Sequence, residues 1–128
     1  MATHGGKRPL ITVVDDDKSI RDSLRMLFES AEFEVDAFAS AEDFLSSGNR
    51  SESTCLILDV QLPGISGIEL QNRLRAEGDI TTVVFITAHP EDHIWLQAIE
   101  GGAIRFFSKP FSGAELLSVV RDYQTPND

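Results

Sequence analysis

The chain has 128 residues, 41% hydrophobic and 25% charged, which suits one folded domain with its own core and excludes a disordered polypeptide. Its formal net charge is −10, with 11 lysines and arginines in no basic cluster; direct nucleic-acid binding, which rests on neutralising phosphates, is therefore not expected. No apolar run approaches the roughly 20 residues of a membrane span, the start MATHGGKRP has no apolar signal-peptide core, and the single cysteine, Cys55, has no internal disulfide partner and reads as an inert core residue, so a cytoplasmic location is expected. The acidic surplus fits a solvated surface and equally a divalent-cation site.

Residues 1–9 read as a polar, mobile arm. Leu10–Val14 (LITVV) is a short β-branched run, a first strand, and it ends in Asp15, Asp16 and Asp17. A helical pattern follows, with Ile20, Leu24, Leu27, Phe28 and Ala31 on one face. Acids at this helix start complement the positive end of its dipole, and Asp17 is best explained in that way. Glu34–Ala39 predicts a second strand, and Ser40 an N-cap for a short helix through Phe44 and Leu45 that ends near Gly48. Asn49–Thr54 reads as a polar loop. The run Leu56-Ile57-Leu58 is too short for a typical helix and predicts a buried third strand, ending at Asp59 beside a loop containing Pro63, Gly64 and Gly67. Ser66–Glu77 predicts a helix with Ile68, Leu70 and Leu74 inward. Val83–Thr87 predicts strand four, Glu91–Gly101 a helix with Ile94, Trp95, Ala98 and Ile99 on one face, and Ile104–Ser108 strand five, ending at Lys109-Pro110. Ser112 caps a last helix through Leu116, Leu117, Val120 and Tyr123, and residues 124–128 form a loose tail. Five strands alternating with five helices call for an α/β fold, a doubly wound parallel sheet covered on both faces, as one domain over residues 10–123.

In such a sheet, ligands bind outside the carboxyl ends of the strands. Asp15 and Asp16, Asp59, Thr87 and Lys109 all fall at those ends. An Asp after a strand is also a common turn former or N-cap, so each position alone is ambiguous. Together, three carboxylates repel one another unless a cation neutralises them. Hard oxygen ligands suit Mg²⁺ or Mn²⁺, and a Thr hydroxyl and a Lys ammonium suit phosphate oxygens. The set spells phosphoryl transfer onto an aspartate.

The stretches VVDDD, LILDVQLPGISG, VVFITAH and FFSKPF resemble the receiver domain of two-component response regulators, the CheY-like family, over about Leu10–Tyr123. That resemblance implies a flavodoxin-like strand order of 2-1-3-4-5. It implies Asp59 as phosphoacceptor, and Mg²⁺ (or Mn²⁺) held by Asp16 and Asp59 directly, by Asp15 through a bound water, and by the backbone carbonyl of Gln61. It further implies Thr87 and Lys109 on the phosphoryl group, a cis peptide before Pro110, and Phe106 as the aromatic switch, which without a hydroxyl must act by packing. A simple core or edge-strand aromatic is the alternative account of Phe106. The implied partners are a sensor histidine kinase or phosphotransfer protein, and a second copy of the chain through the fourth helix, fifth strand and last helix. No enzymatic turnover is expected beyond its own phosphorylation and dephosphorylation. SAEDFL and GGAIRFFSKPF are most similar to the FixJ/NarL branch, whose members usually carry a DNA-binding domain after the receiver. The chain stops at Asp128, as a single-domain regulator or an excised receiver, and transcription is the expected output.

Three rivals share features. An aspartate-nucleophile phosphatase of the haloacid dehalogenase type needs Asp-x-Asp, but Gln61 stands in the second place. A flavodoxin needs a Ser/Thr/Gly-rich phosphate loop where three acids stand. A pseudo-receiver would bind a partner without phosphorylation and would not need the acceptor set. His89 and His93 lack the glutamate of a zinc-binding H-E-x-x-H helix and carry Pro90 between them, and Trp95 suits packing or an interface better than ligation.

Overall fold

Strands β1 (Leu10–Val14), β3 (Ser53–Asp59) and β4 (Thr82–Thr87) each carry an unbroken, mostly apolar buried run, and that composition forces both of their faces under cover. The computed structural model describes residues 8–48, 53–88 and 92–124, without the side chains of 92–95 and 124. The arm residues 1–7, the tail 125–128, and the expectations for His89, His93, Ile94 and Trp95 lie outside the described residues or side chains.

The remaining elements are α1 (Lys18–Ser30), β2 (Glu34–Phe38), α2 (Ala41–Leu45), α3 (Gly67–Ala76), α4 (Asp92–Glu100), β5 (Arg105–Ser108) and α5 (Gly113–Gln124). The five strands form one parallel sheet in the order β2-β1-β3-β4-β5. Side chains alternate across a strand, so each strand feeds two cores. Ile11, Val13, Cys55, Ile57, Val84 and Ile86 face α1 and α5, meeting Leu24, Phe28, Leu116 and Val120. Val14, Leu56, Leu58, Val83 and Phe85 face the other way, meeting Phe44 of α2, Leu70 and Leu74 of α3 and Ala98 of α4. Cys55 is an inert core residue: burial pushes its thiol up to about 12.

Several boundaries differ from expectation, each for a local reason. Ser53 and Thr54 belong to β3 rather than to a loop. Backbone pairing accepts polar residues, and the hydroxyls of Thr12 and Ser53 hydrogen-bond across β1 and β3. The turn after α1 places Glu32 in the left-handed region (φ 72°), closed by Phe33 N–H donating to the Phe28 carbonyl at 3.0 Å. Gln71, polar and unremarked in the sequence, is fully buried in α3 because its carboxamide donates to the Ala98 carbonyl at 3.2 Å. Ile99 lies 38% exposed on α4 rather than inside. Asp17 caps α1, its carboxylate accepting from Ser19 N–H at 2.8 Å, and Ser40 and Ser66 cap α2 and α3. No helix among the described residues is long and apolar enough to cross a membrane.

Candidate functional site

A parallel sheet with right-handed crossovers puts every strand's carboxyl end on one edge. β1 therefore delivers Asp15 and Asp16 there, β3 delivers Asp59, β4 delivers Thr87, and the turn after β5 delivers Lys109. Asp15 and Thr87 are fully buried, Asp59 is nearly so, and Asp16 is exposed. One carboxylate oxygen from each of Asp15, Asp16 and Asp59 lies within 4.8 Å of the others. The acids scattered along the sequence thus converge.

Lys109 joins them. Its ammonium is 2.9 Å from Asp15 Oδ2 and 3.2 Å from Asp59 Oδ2, so it bridges two carboxylates from different strands. Its backbone N–H donates to the Thr87 carbonyl at 2.7 Å, which ties the turn after β5 to the end of β4; the Lys109–Pro110 peptide is cis. Thr87 itself sits one residue beyond the Asp59–Ile86 register pair on the neighbouring strand. The other carboxylate oxygens are tied to backbone: Asp15 Oδ1 accepts from Asp17 N–H at 2.9 Å, and Asp59 Oδ1 from Gln61 N–H at 3.0 Å. Phe106 is half-buried at the next element, its ring 6.3 Å from that of Phe85.

Burial is the main force on the Asp59 carboxyl and lifts its pKa to about 6; the Gln61 N–H opposes the rise, Asp15 adds to it, and Lys109 opposes it. For Lys109, burial favours the neutral amine, but Asp15 and Asp59 outweigh it and hold the pKa above the ordinary lysine value. The site is therefore an acidic pocket only partly neutralised from within. The donor set consists of hard carboxylate oxygens, one of them exposed and open to water, which fits a divalent cation of the Mg²⁺ kind. Lys109→Ala leaves two buried carboxylates without their shared cation. That variant should lose about 1–3 kcal/mol at neutral pH, with less loss on adding Mg²⁺. Denaturant melts with and without the ion check it, and equal stability in both would overturn the bridge.

Sequence reasoning missed two supports of this pocket. Arg21, six residues after Asp15, donates from its guanidinium to the Asp15 carbonyl at 2.9 Å. Glu42, on α2, accepts from Ile65 N–H at 3.0 Å. A basic residue one turn into the helix that follows the acids was a faint signal for Arg21; Glu42 gave none. A hollow of about 550 Å³, lined by Thr54, Glu77, Asp79, Ile80 and Thr82, opens at the opposite ends of the strands, away from the three acids and Lys109. Chemistry rather than volume marks the site.

The phosphatase reading lacks the acid of its Asp-x-Asp motif, since Gln61 stands in that place, is exposed and serves Asp59 through its backbone N–H. The assembled acids, threonine and lysine do not favour a pseudo-receiver, and the acids at the end of β1 do not favour a flavin phosphate loop.

Known proteins agree with this geometry. The model of the response regulator receiver domain matches residues 11–121. Nodulation protein W of Bradyrhizobium diazoefficiens is 42% identical over 118 residues, which are 92% of this chain and 52% of that protein. The transcriptional regulatory protein FixJ of Azorhizobium caulinodans is 38% identical over 111 residues, 87% of this chain and 53% of that protein. The solved response regulator StyR superposes with a TM-score of 0.83 at 45% identity, covering 91% of this chain and 59% of that one. The chain thus spans about half the length of these curated relatives. With its strand order, its strand-end acids and its bridging lysine, the chain belongs to the response regulator receiver domain family.

Proposed function

We propose that this receiver accepts a phosphoryl group on Asp59 from a histidine kinase or phosphotransfer protein and thereby switches a signalling face. The observation that carries the reading is the Lys109 ammonium spanning the Asp15 and Asp59 carboxylates, with Asp16 at the same edge. An Asp59 oxygen attacks phosphorus in line; the P–O bond forms as the P–N bond to the donor imidazole breaks, and the imidazole leaves. Mg²⁺, held by Asp16, Asp59 and the Gln61 carbonyl, and by Asp15 through water, would supply charge neutralisation between carboxylate and phosphate. Lys109 then exchanges its carboxylate partner for a phosphoryl oxygen, and the Thr87 hydroxyl meets another. Phe106, beside Phe85, would follow by repacking.

A groove of about 280 Å³ lined by Ile20, Leu24, Leu27, Pro110 and Phe111 adjoins Lys109 and offers apolar footing for the phosphodonor. Leu96 and Ile99 of α4 and Tyr123 of α5 are exposed large side chains, which supports a homodimer through α4, β5 and α5. Output through a DNA-binding partner domain rests on the relatives named as transcriptional regulators. A cytoplasmic setting, and no turnover beyond the chain's own phosphate, belong to the same reading.

Acetyl phosphate with Mg²⁺ tests it. The expected product is one acyl-phosphate group, labile to base and hydroxylamine, mapped to Asp59 and not formed when a chelator removes the metal beforehand. Labelling at another residue, or labelling unchanged by the chelator, would refute the assignment.

A further inference from the structure

We infer that Glu42 is a positioning residue for the loop that carries the phosphoacceptor: reaching from α2, its carboxylate holds the middle of the β3–α3 connection over Gly64 and Ile65. This rests on the receiver reading and adds to it a residue outside the strand-end set.

The loop runs from Asp59 to Ser66, and both of its ends are pinned locally. Gln61 N–H donates to Asp59 Oδ1 at 3.0 Å, and Gly67 N–H donates to the Val60 carbonyl at 2.9 Å. Ser66 and Glu69 close a reciprocal capping box at the start of α3. The middle has no such restraint of its own. Pro63 has no N–H to give, and Gly64 turns the chain at φ +75°. The Ile65 N–H is taken by Glu42 Oε2 at 3.0 Å, across 23 residues of sequence.

The neighbouring glycine makes the fit specific. A Cβ built on Gly64 would lie 2.4 Å from Glu42 Oε2, so the carboxylate occupies the space that the missing side chain leaves. Gly64 therefore serves two ends, the left-handed turn and the close approach of the acid. The platform beneath is firm. Ala41 and Phe44 of α2 are fully buried in the same core cluster as Val60 and Leu62 of the loop. The backbone that carries Glu42 and the backbone that it grips thus share one packed layer. Gln61, whose carbonyl is the proposed metal ligand, is pinned at its N–H, and the chain beyond its carbonyl runs to this grip. Freeing Ile65 lets Gln61 wander while Asp59 stays in its strand.

The SAEDFL stretch, which the phosphoryl chemistry leaves without a role, acquires one here through its glutamate. Glu42 is exposed and apart from the core, so removing it should leave the fold intact.

The test compares the wild type with Glu42→Ala and Glu42→Gln. A carboxamide oxygen can still accept the Ile65 N–H; a methyl group cannot. Glu42→Ala should speed amide exchange at Ile65 and weaken Mn²⁺ binding, titrated by electron paramagnetic resonance without phosphodonor, about three- to tenfold. Its melting temperature should stay near the wild-type value. Glu42→Gln should restore both readouts. Equal weakening in both variants would mean that the lost charge alone acts, and it overturns the positioning role; so does unchanged Ile65 exchange in Glu42→Ala. Because neither readout uses phosphate, a wild-type chain that bound Mn²⁺ but took no phosphoryl group would sink the receiver chemistry separately.

Discussion

Asp59→Asn should abolish acyl-phosphate labelling and, in metal-free buffer, make the protein more stable. The first effect follows from chemistry: a carboxamide is not a nucleophile toward phosphorus at neutral pH, and the neighbouring Asp15 carboxylate is fully buried beneath Lys109. The second follows from electrostatics. The Asp59 carboxyl titrates at about 6 in the fold, against 3.8 for a free aspartate, so the folded state holds its proton more tightly than the unfolded one. The stability tied to that proton is fully present below about pH 4 and is lost as pH rises through 6. Replacing the acid by its neutral isostere removes the loss. The gain should be about 1–2 kcal/mol at pH 7, or a melting temperature roughly 5 °C higher. It should vanish near pH 4, where the wild-type carboxyl is already protonated. Mg²⁺ should raise the melting temperature of the wild type and leave the variant nearly unmoved, since the variant has lost a ligand. Thermal melts at pH 4 and 7, with and without the ion, give four values. A variant less stable than wild type at pH 7 without metal would contradict the burial argument.

Gly67→Ala should damage both fold and function, although Gly67 is a ligand to nothing. A Cβ there would stand 2.3 Å from the Asp59 carbonyl oxygen and 3.0 Å from Val60 Cα. All of these neighbours are backbone, so no flexible side chain can yield. The Gly67 N–H also donates to the Val60 carbonyl at 2.9 Å, which ties the start of α3 directly to the phosphoacceptor strand. Relief must come from moving α3 or the end of β3. The expected loss is about 2–3 kcal/mol of stability, and Asp59 is carried with the strand. A displacement near 1 Å of a reacting group costs on the order of a hundredfold in rate. Urea denaturation and the acetyl phosphate labelling rate measure the two effects. Full activity with normal stability would show that the close approach is an accident of packing.

These two residues mark what kind of information a sequence carries. Asp59 was visible because an apolar run of strand length stops at it, and a polar residue at such a boundary has only the sheet edge to occupy. β1, with Leu10–Val14 all apolar or β-branched, has the bounds that its composition demands. The capping serines and Asp17 were visible for a similar reason: a short oxygen-bearing side chain before a periodic apolar face meets free N–H groups. Periodicity is a local property, and these features are local.

What periodicity does not encode is a contact between a side chain and distant backbone. Gln71 looks like any exposed helical glutamine until Ala98, 27 residues away, offers its carbonyl. Ser53 looks like loop until Leu10 of β1 pairs with it. Glu32 takes a left-handed turn that composition would assign to glycine. The sequence by itself determined the layered α/β fold, the edge at which the chemistry sits and the residue types that meet there, because apolar spacing dictates which faces must be covered. Only the tertiary structure decided that Lys109 is shared between Asp15 and Asp59, that Gly67 lies against the phosphoacceptor's own carbonyl, and that Glu42 grips the loop. Each depends on distances of a few ångströms between segments far apart in the chain, and packing alone sets those distances.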